Sequence, residues 1–442
     1  MQTRRCFLQS SLATAMQAPR RRPNVLVILA DDLGSADLGY AGCRDIPTPN
    51  LDRLRGEGVR FTNSYVSHPF CSPTRAGLLS GRYQQRFGHE NNPQYGVGEG
   101  LPLSETLLPA LLKPAGYVSG LTGKWHLGDA PEFRPNARGF DEFFGFLGGG
   151  HQYFPLAQAQ IDAAKEYMIP LSRNGAPVAQ REYMTQEISR EAAGFIARHR
   201  REPFFQYVTY NAPHTPMQAP KEYLDRFASI GDERRRQYAA MVSALDDGVG
   251  TVLKALRDNG LDNDTLVMFL SDNGGPPQAN SSSNLPLRNG KGSLYEGGIR
   301  TPMVARWTGR IKANSTFEAP VTSLDIAATT VALAGAPAAE GKPLDGVDLM
   351  PYLTGAKRGT PHERLFWRTG GGTHHAMREG NHKLVLHQDA EPELYDLGAD
   401  PAEKNDIAGA NLPRVRELRA KLGAWNAELV KPAWPGLSAL RR

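Results

Sequence analysis

The chain has 442 residues, 40% of them hydrophobic and 22% charged, which is the make-up of a soluble globular protein and excludes fibrous and disordered classes. Its length calls for one large and one smaller domain, and no run approaches the roughly 20 apolar residues of a membrane helix. The formal charge of +5 is local: the first 22 residues hold five arginines and no acid, and the rest balances 46 basic against 46 acidic residues. A neutral body argues against a nucleic-acid-binding surface.

In chain order, residues 1–22 come first. Thr3-Arg4-Arg5-Cys6-Phe7-Leu8, ahead of a mildly apolar stretch and small residues up to Ala18, reads as a twin-arginine-like export signal. That places the protein in the periplasm or outside the cell. The alternative is a disordered basic leader on a cytoplasmic protein.

Residues 24–30 are the first of four short apolar, β-branched or aromatic runs that end in polar residues. The others are 117–121, 204–210 and 266–270. Such runs suit strands buried on both faces of a parallel or mixed sheet. Helix-like stretches at 51–57, 104–113, 185–200 and 238–259 separate them. The alternation predicts an α/β fold, a large mixed, mostly parallel sheet flanked by helices. Ligands in such sheets bind outside the carboxyl ends of the strands. The polar clusters fall there: Asp31-Asp32, Lys124 and His126, His214, and Asp272-Asn273. Loops at 148–150 and 273–284, rich in Gly, Pro, Ser and Asn, are expected near the pocket.

Beyond about residue 355 the texture changes. Segments 364–368, 375–378, 382–387 and 393–396 read as short antiparallel strands and 412–430 as an amphipathic helix. A catalytic domain over 23–355 and a C-terminal α+β subdomain over 356–442, built on an antiparallel sheet, follow from this.

The chemistry centres on Cys71-Ser72-Pro73-Thr74-Arg75. Pro73 suits the first turn of a helix, so Cys71 is expected at a helix N-terminus, where amide donors and the dipole favour negative charge. On the residues alone Cys71 is either a small buried hydrophobe or a low-pKa thiol nucleophile. Asp31-Asp32 is likewise open between a cap or Asx turn and a carboxylate pair that needs a cation.

Residues 71–75 with the continuation Ala-Gly-Leu-Leu-Ser-Gly-Arg resemble the signature of the sulfatase family, whose cysteine is oxidised to formylglycine by a separate maturation enzyme. Asn-Val-Leu-Val-Ile-Leu-Ala-Asp-Asp, residues 24–32, is similar to the family's first metal-binding strand, and Ser271-Asp272-Asn273-Gly274-Gly275 to its second. Gly123-Lys124-Trp125-His126-Leu127-Gly128, Ala212-Pro213-His214-Thr215-Pro216 and the glycine-flanked Lys291 match further blocks. Glu393-Leu394-Tyr395-Asp396-Leu397, with Asp400-Pro401 and Asn405, resembles a recurrent C-terminal block.

The resemblance implies an alkaline-phosphatase-like fold and hydrolysis of sulfate monoesters. It implies a metal on Asp31, Asp32, Asp272, Asn273 and the oxygen of a converted Cys71. That hard oxygen set suits calcium, or magnesium, over zinc. The formylglycine diol would attack sulfur and form a sulfated enzyme. Arg75, Lys124 and Lys291 would hold sulfate oxygens. His214 would protonate the leaving alcohol, and His126 would take the proton whose loss expels sulfate. With Cys71 so used, no disulfide to Cys43 is expected.

Residues 86–92 and 151–153 resemble polysaccharide-acting bacterial members. His89, Glu90, Asn91, His151, Tyr153 and Arg288 are therefore candidate substrate-binding residues, and the expected substrate is a sulfated carbohydrate in preference to a small aryl sulfate. Two alternatives remain: a phosphonate or phosphate monoester hydrolase of the same superfamily, and a non-catalytic binder of sulfated sugars. Against the first stand Asn273, where such relatives commonly have histidine, and the Gly-Lys-x-His block. Against the second stands the complete catalytic set.

Overall fold

The computed structural model describes residues 22–162 and 165–436; the export-signal reading falls outside them. The strand Asn24–Ala30 lies mid-sheet and all seven of its residues are buried. It runs parallel to Phe204–Thr209 on one side and Thr265–Ser271 on the other, and Val118–Lys124 and Glu142–Phe146 continue the parallel block. Met303–Arg306 pairs antiparallel with Thr265–Ser271, which makes the sheet mixed. In all it has ten strands.

Successive side chains of a strand face opposite ways, and the first strand shows what that builds. Leu26 and Ile28 join one apolar layer with the helices Met184–Arg198 and Glu233–Asp258. Val25, Val27 and Leu29 join the other, which holds Leu78 and Leu79 of the helix Cys71–Ser80. A central strand buried on both faces is the reason the run reads as continuously apolar.

The C-terminal strands Arg364–Thr369, His374–Glu379, His382–Leu386 and Glu393–Asp396 form a separate antiparallel sheet, crossed by the helix Leu412–Ala427. This sheet is not free-standing. Trp367, Val385 and Tyr395 pack against Tyr65, Tyr295 and Ile299 of the larger part.

Two helices differ from the sequence expectation. The stretch 104–113 shrinks to Leu108–Leu112, because Pro109 fits only its first turn and Pro114 follows directly. The helix expected from 238 starts at Glu233, where the Asp232 carboxylate accepts from the Arg235 N–H at 2.7 Å and caps a polar first turn that apolar periodicity does not register.

Candidate active site

The four central strands end together, and their polar residues converge. Asp31 receives Lys124 Nζ at 2.5 Å and lies 3.7 Å from the Arg75 guanidinium. Arg75 donates to Asp272 Oδ2 through Nε at 3.1 Å and Nη2 at 2.7 Å, and through Nη1 to the Lys124 carbonyl at 3.2 Å. Asp32 is held by Lys291 Nζ at 2.7 Å and Asn273 Nδ2 at 2.7 Å, with His214 Nε2 at 3.6 Å. Asp32 and His126 both adopt left-handed backbone, φ 63° and 61°. Non-glycine residues do so rarely, and such strain clusters at functional sites.

Cys71 begins the helix Cys71–Ser80, every residue of which is buried. Its Sγ lies 3.2 Å from Lys291 Nζ and 3.5 Å from Asp31 Oδ1. Burial, aided by the Asp31 charge, pushes the thiol up to about 12. Burial thus works against the low-pKa thiolate reading of Cys71.

Local sequence explains how the block 123–128 gets there. Gly123 has φ 117°, and a Cβ on it would lie 1.9 Å from the Thr209 carbonyl oxygen, so only glycine lets the strand edge approach so closely. The next turn buries Lys124 and presents His126. Burial, with Lys124 and Arg75 adding repulsion, holds the His126 imidazole well below its ordinary pKa, and its Nδ1 is buried without a partner. His214 Nδ1 lies 2.6 Å from the Thr215 carbonyl. A carbonyl only accepts, so Nδ1 carries the hydrogen and Nε2 faces Asp32. Burial lowers the His214 pKa, and Asp31 and Asp32 oppose that.

The residues fit a hard divalent cation. One donor atom from each of Asp31, Asp32, Cys71 and His214 can be chosen within 4.8 Å of one another. Burial and then the charge of Asp31 raise the Asp272 pKa despite Arg75, so this cluster of carboxylates can take more positive charge. Asn273 Oδ1 is buried without a hydrogen-bond donor, a position that a cation would satisfy. Asp31, Asp32, Asp272 and Asn273 supply oxygen donors only.

The six candidate substrate residues all have protein partners. His89 donates to Ser72 Oγ at 2.6 Å, and the Ser72 hydroxyl passes its own hydrogen to the His126 carbonyl at 2.6 Å. The pair thus braces the residues beside Cys71. Buried Glu90 pairs with Arg368, with Nε at 3.0 Å, and Asn91 donates to the Trp434 carbonyl at 2.9 Å. His151 contacts the Gln152 and Ile169 carbonyls at 2.7 and 2.8 Å. Tyr153 donates its hydroxyl to the Asn211 and His214 carbonyls, both at 2.7 Å, and so steadies the His214 loop. Arg288 stacks over Tyr295 at 3.7 Å and donates to the Tyr395 hydroxyl at 2.8 Å. These side chains are committed to protein partners; they support the site from behind or hold the C-terminal sheet.

Sequence reasoning overlooked other residues. Tyr167 lies with its ring 6.2 Å from that of His214, on a turn where Glu166 accepts from the Gly149 N–H at 2.8 Å. A cleft of about 870 Å³ opens at Lys291 and is lined in part by Thr369, His374 and His387. None of these stands in a recognisable motif. Only the pairing of the two parts of the chain brings them here.

The sequence model of the Sulfatase family matches residues 23–336, and that of the C-terminal region of N-sulphoglucosamine sulphohydrolase matches residues 289–429. N-acetylgalactosamine-6-sulfatase of Homo sapiens is 38% identical over 381 residues, which is 82% of this chain and 71% of that protein. The structure of Ps i-CgsB in complex with k-i-k-neocarrahexaose superposes with a TM-score of 0.90 at 39% identity, covering 94% of this chain and 95% of that one. Phosphonate monoester hydrolase of Agrobacterium radiobacter shares the fold, with a TM-score of 0.70 at 22% identity over 93% and 96% of the two chains.

Fold and site together define an alkaline-phosphatase-like hydrolase with a buried cluster of carboxylates and cationic side chains at the strand ends. The chain belongs to the sulfatase family, type I, and is a sulfuric ester hydrolase.

Proposed function

We propose that the protein removes sulfate from a sulfated carbohydrate, using formylglycine made from Cys71 by a maturation enzyme and a calcium ion held by Asp31, Asp32, Asp272 and Asn273. The observation that carries this reading is the placement of Cys71: a buried thiol at a helix N-terminus, within reach of Lys291 and beside the carboxylate cluster. A carbohydrate leaving group is supported by the names of the relatives, N-acetylgalactosamine-6-sulfatase and a carrageenan-oligosaccharide complex, and by the size of the cleft. The arginine pair at Arg4-Arg5 favours export to the periplasm or beyond.

When present, the hydrated aldehyde supplies a nucleophilic oxygen, and the cation offsets the charge gathered around it. The rest belongs to side chains. Lys291, the partly exposed cation at the mouth of the cleft, binds an incoming sulfate oxygen. Lys124 lies deeper, on Asp31, and adds positive charge to the pocket floor. Arg75 is occupied by Asp272 and the Lys124 carbonyl, so it orients those groups and adds charge. With Nδ1–H fixed on Thr215, the His214 nitrogen that can take up a second proton is Nε2, which faces Asp32. A bound sulfate ester brings negative charge beside it, which favours the protonated form, and that proton goes to the departing sugar oxygen. His126, neutral and with a free ring nitrogen, is placed to accept a proton.

The test is turnover of matched aryl sulfate and aryl phosphate by protein co-expressed with the maturation enzyme. The expected result is a strong preference for sulfate. A preference for phosphate would overturn the reading in favour of a phosphate or phosphonate hydrolase, and turnover of neither would mark a binder.

A further inference from the structure

The cleft at Lys291 extends well past the catalytic cluster. Its volume of about 870 Å³ is that of a pocket for an extended ligand. None of its lining residues is aspartate or glutamate, in a chain with 46 acids. Lys291, Gln278 and Ser293 of the larger part line it together with Thr369, His374 and His387 of the C-terminal part. A wall of donors and imidazoles without carboxylates repels cations and suits an anion with sugar hydroxyls around it.

The two histidines are in contact. Their rings lie edge to face with centroids 5.1 Å apart, and their Nδ1 atoms are 3.4 Å apart. The Gln388 N–H points at His374 Nδ1 at 3.4 Å, so that nitrogen is the acceptor. His387 must then donate through Nδ1 to complete the contact, while its Nε2 lies 3.3 Å from the Tyr295 hydroxyl. Tyr295 donates its proton to Glu393, at 2.8 and 2.9 Å, and offers His387 only lone pairs. Neutral His387 can satisfy one of these two contacts, and the imidazolium satisfies both. Burial, and then the neighbouring His387, hold the His374 imidazole below its ordinary pKa, and an anion bound in the cleft would offset that repulsion.

Resting on the carbohydrate-sulfatase reading above, we propose that His374 and His387 form a subsite for a second anionic group of an oligosaccharide whose scissile sulfate sits at Lys291 and position 71. The substrate is thus a chain carrying anionic groups on more than one sugar, and the C-terminal sheet reads the second one.

Competitive inhibition of 4-nitrophenyl sulfate hydrolysis tests this with fully converted enzyme. The probes are inorganic sulfate, which has one anionic centre, and k-i-k-neocarrahexaose, which has several. Wild type should bind the hexasaccharide more tightly than sulfate. The double variant His374→Gln/His387→Gln should weaken the hexasaccharide about tenfold or more, the size of losing a charge-assisted contact. Its inhibition by inorganic sulfate should stay within about twofold. His387→Arg, which keeps a cation, should restore part of the loss. The proposal is overturned if the hexasaccharide constant is unchanged in the double variant, if both inhibitors weaken alike, or if the hexasaccharide binds wild type no better than sulfate. Failure of converted wild type to hydrolyse 4-nitrophenyl sulfate at all would instead sink the sulfatase reading beneath it.

Discussion

Two of the buried-charge clusters among the described residues do different things. At the active site Asp31, Asp32 and Asp272 face Arg75, Lys124 and Lys291. At the junction with the C-terminal sheet, Lys383 bridges Glu296 at 2.9 Å and Glu403 at 2.8 Å, while Tyr65 donates to the other oxygen of Glu296 at 2.7 Å. Their carboxylates are almost wholly shut away from water. Burial of charge therefore does not by itself mark a site. The active-site cluster differs in containing a buried cysteine and two imidazoles, in the orphaned oxygen of Asn273, and in a way out through Lys291 to a cleft. The junction cluster locks the segment 294–299, just beyond Lys291, to the C-terminal sheet.

The sharpest way to break this comparison is to damage each cluster in turn. Lys383→Met removes the one cation that touches both glutamates, leaves Glu296 only Arg300 at 3.4 Å, and should cost about 3 kcal/mol of stability. Cys71→Ala should abolish turnover while costing no more than about 1 kcal/mol, since it removes one small group at a loop–helix junction. Thermal unfolding and an aryl sulfate assay on both variants check the contrast. A Lys383→Met protein as stable as wild type would show that the junction cluster holds nothing together.

The next effect separates roles within the active site. A sugar alcohol is a poor leaving group and needs a proton; a nitrophenolate needs little help. His214→Ala should therefore slow a sugar sulfate about 10²–10⁴-fold more than an aryl sulfate. Equal losses on both would make His214 a sulfate-positioning group and pass the acid role to Lys291 or water.

Chelation gives the smallest shift and bears on the active-site cluster alone. If a cation is bound at about 100 times its dissociation constant, its removal should lower stability by about 2.7 kcal/mol. Activity should fall with it, and Asp32→Asn should shrink the difference between treated and untreated protein. Calcium should appear in elemental analysis of active enzyme, and zinc in its place would contradict the oxygen-donor set.

How much of this was legible beforehand follows the same division. The parallel strands and their polar ends could be read because each is a local pattern: an apolar run, then a charged residue at its carboxyl end. The buried helix N-terminus at Cys71 could be read from Pro73. The role of the cysteine could not, since composition left it open and the formylglycine reading rests on resemblance. The junction cluster was invisible because its partners are 87 and 107 residues apart in the chain and share no pattern. His89 and Tyr153 were singled out for polar and aromatic character, yet their hydrogen bonds run inward to Ser72 and the His214 loop. Whether a side chain faces a pocket or braces it from behind is set by packing, which sequence spacing does not encode. Tyr167, His374 and His387 were missed for the converse reason, because distant segments carry them to the cleft.

The central claim is that position 71 works as an aldehyde, and one measurement addresses it directly. Protein batches made with graded amounts of maturation enzyme should be digested, the peptide carrying position 71 weighed, and kcat for an aryl sulfate determined on each. The account predicts that kcat rises in proportion to the fraction of peptide lighter by the difference between a thiol and an aldehyde, and reaches background when that fraction is zero. Full turnover by protein whose position 71 remains a thiol would contradict it.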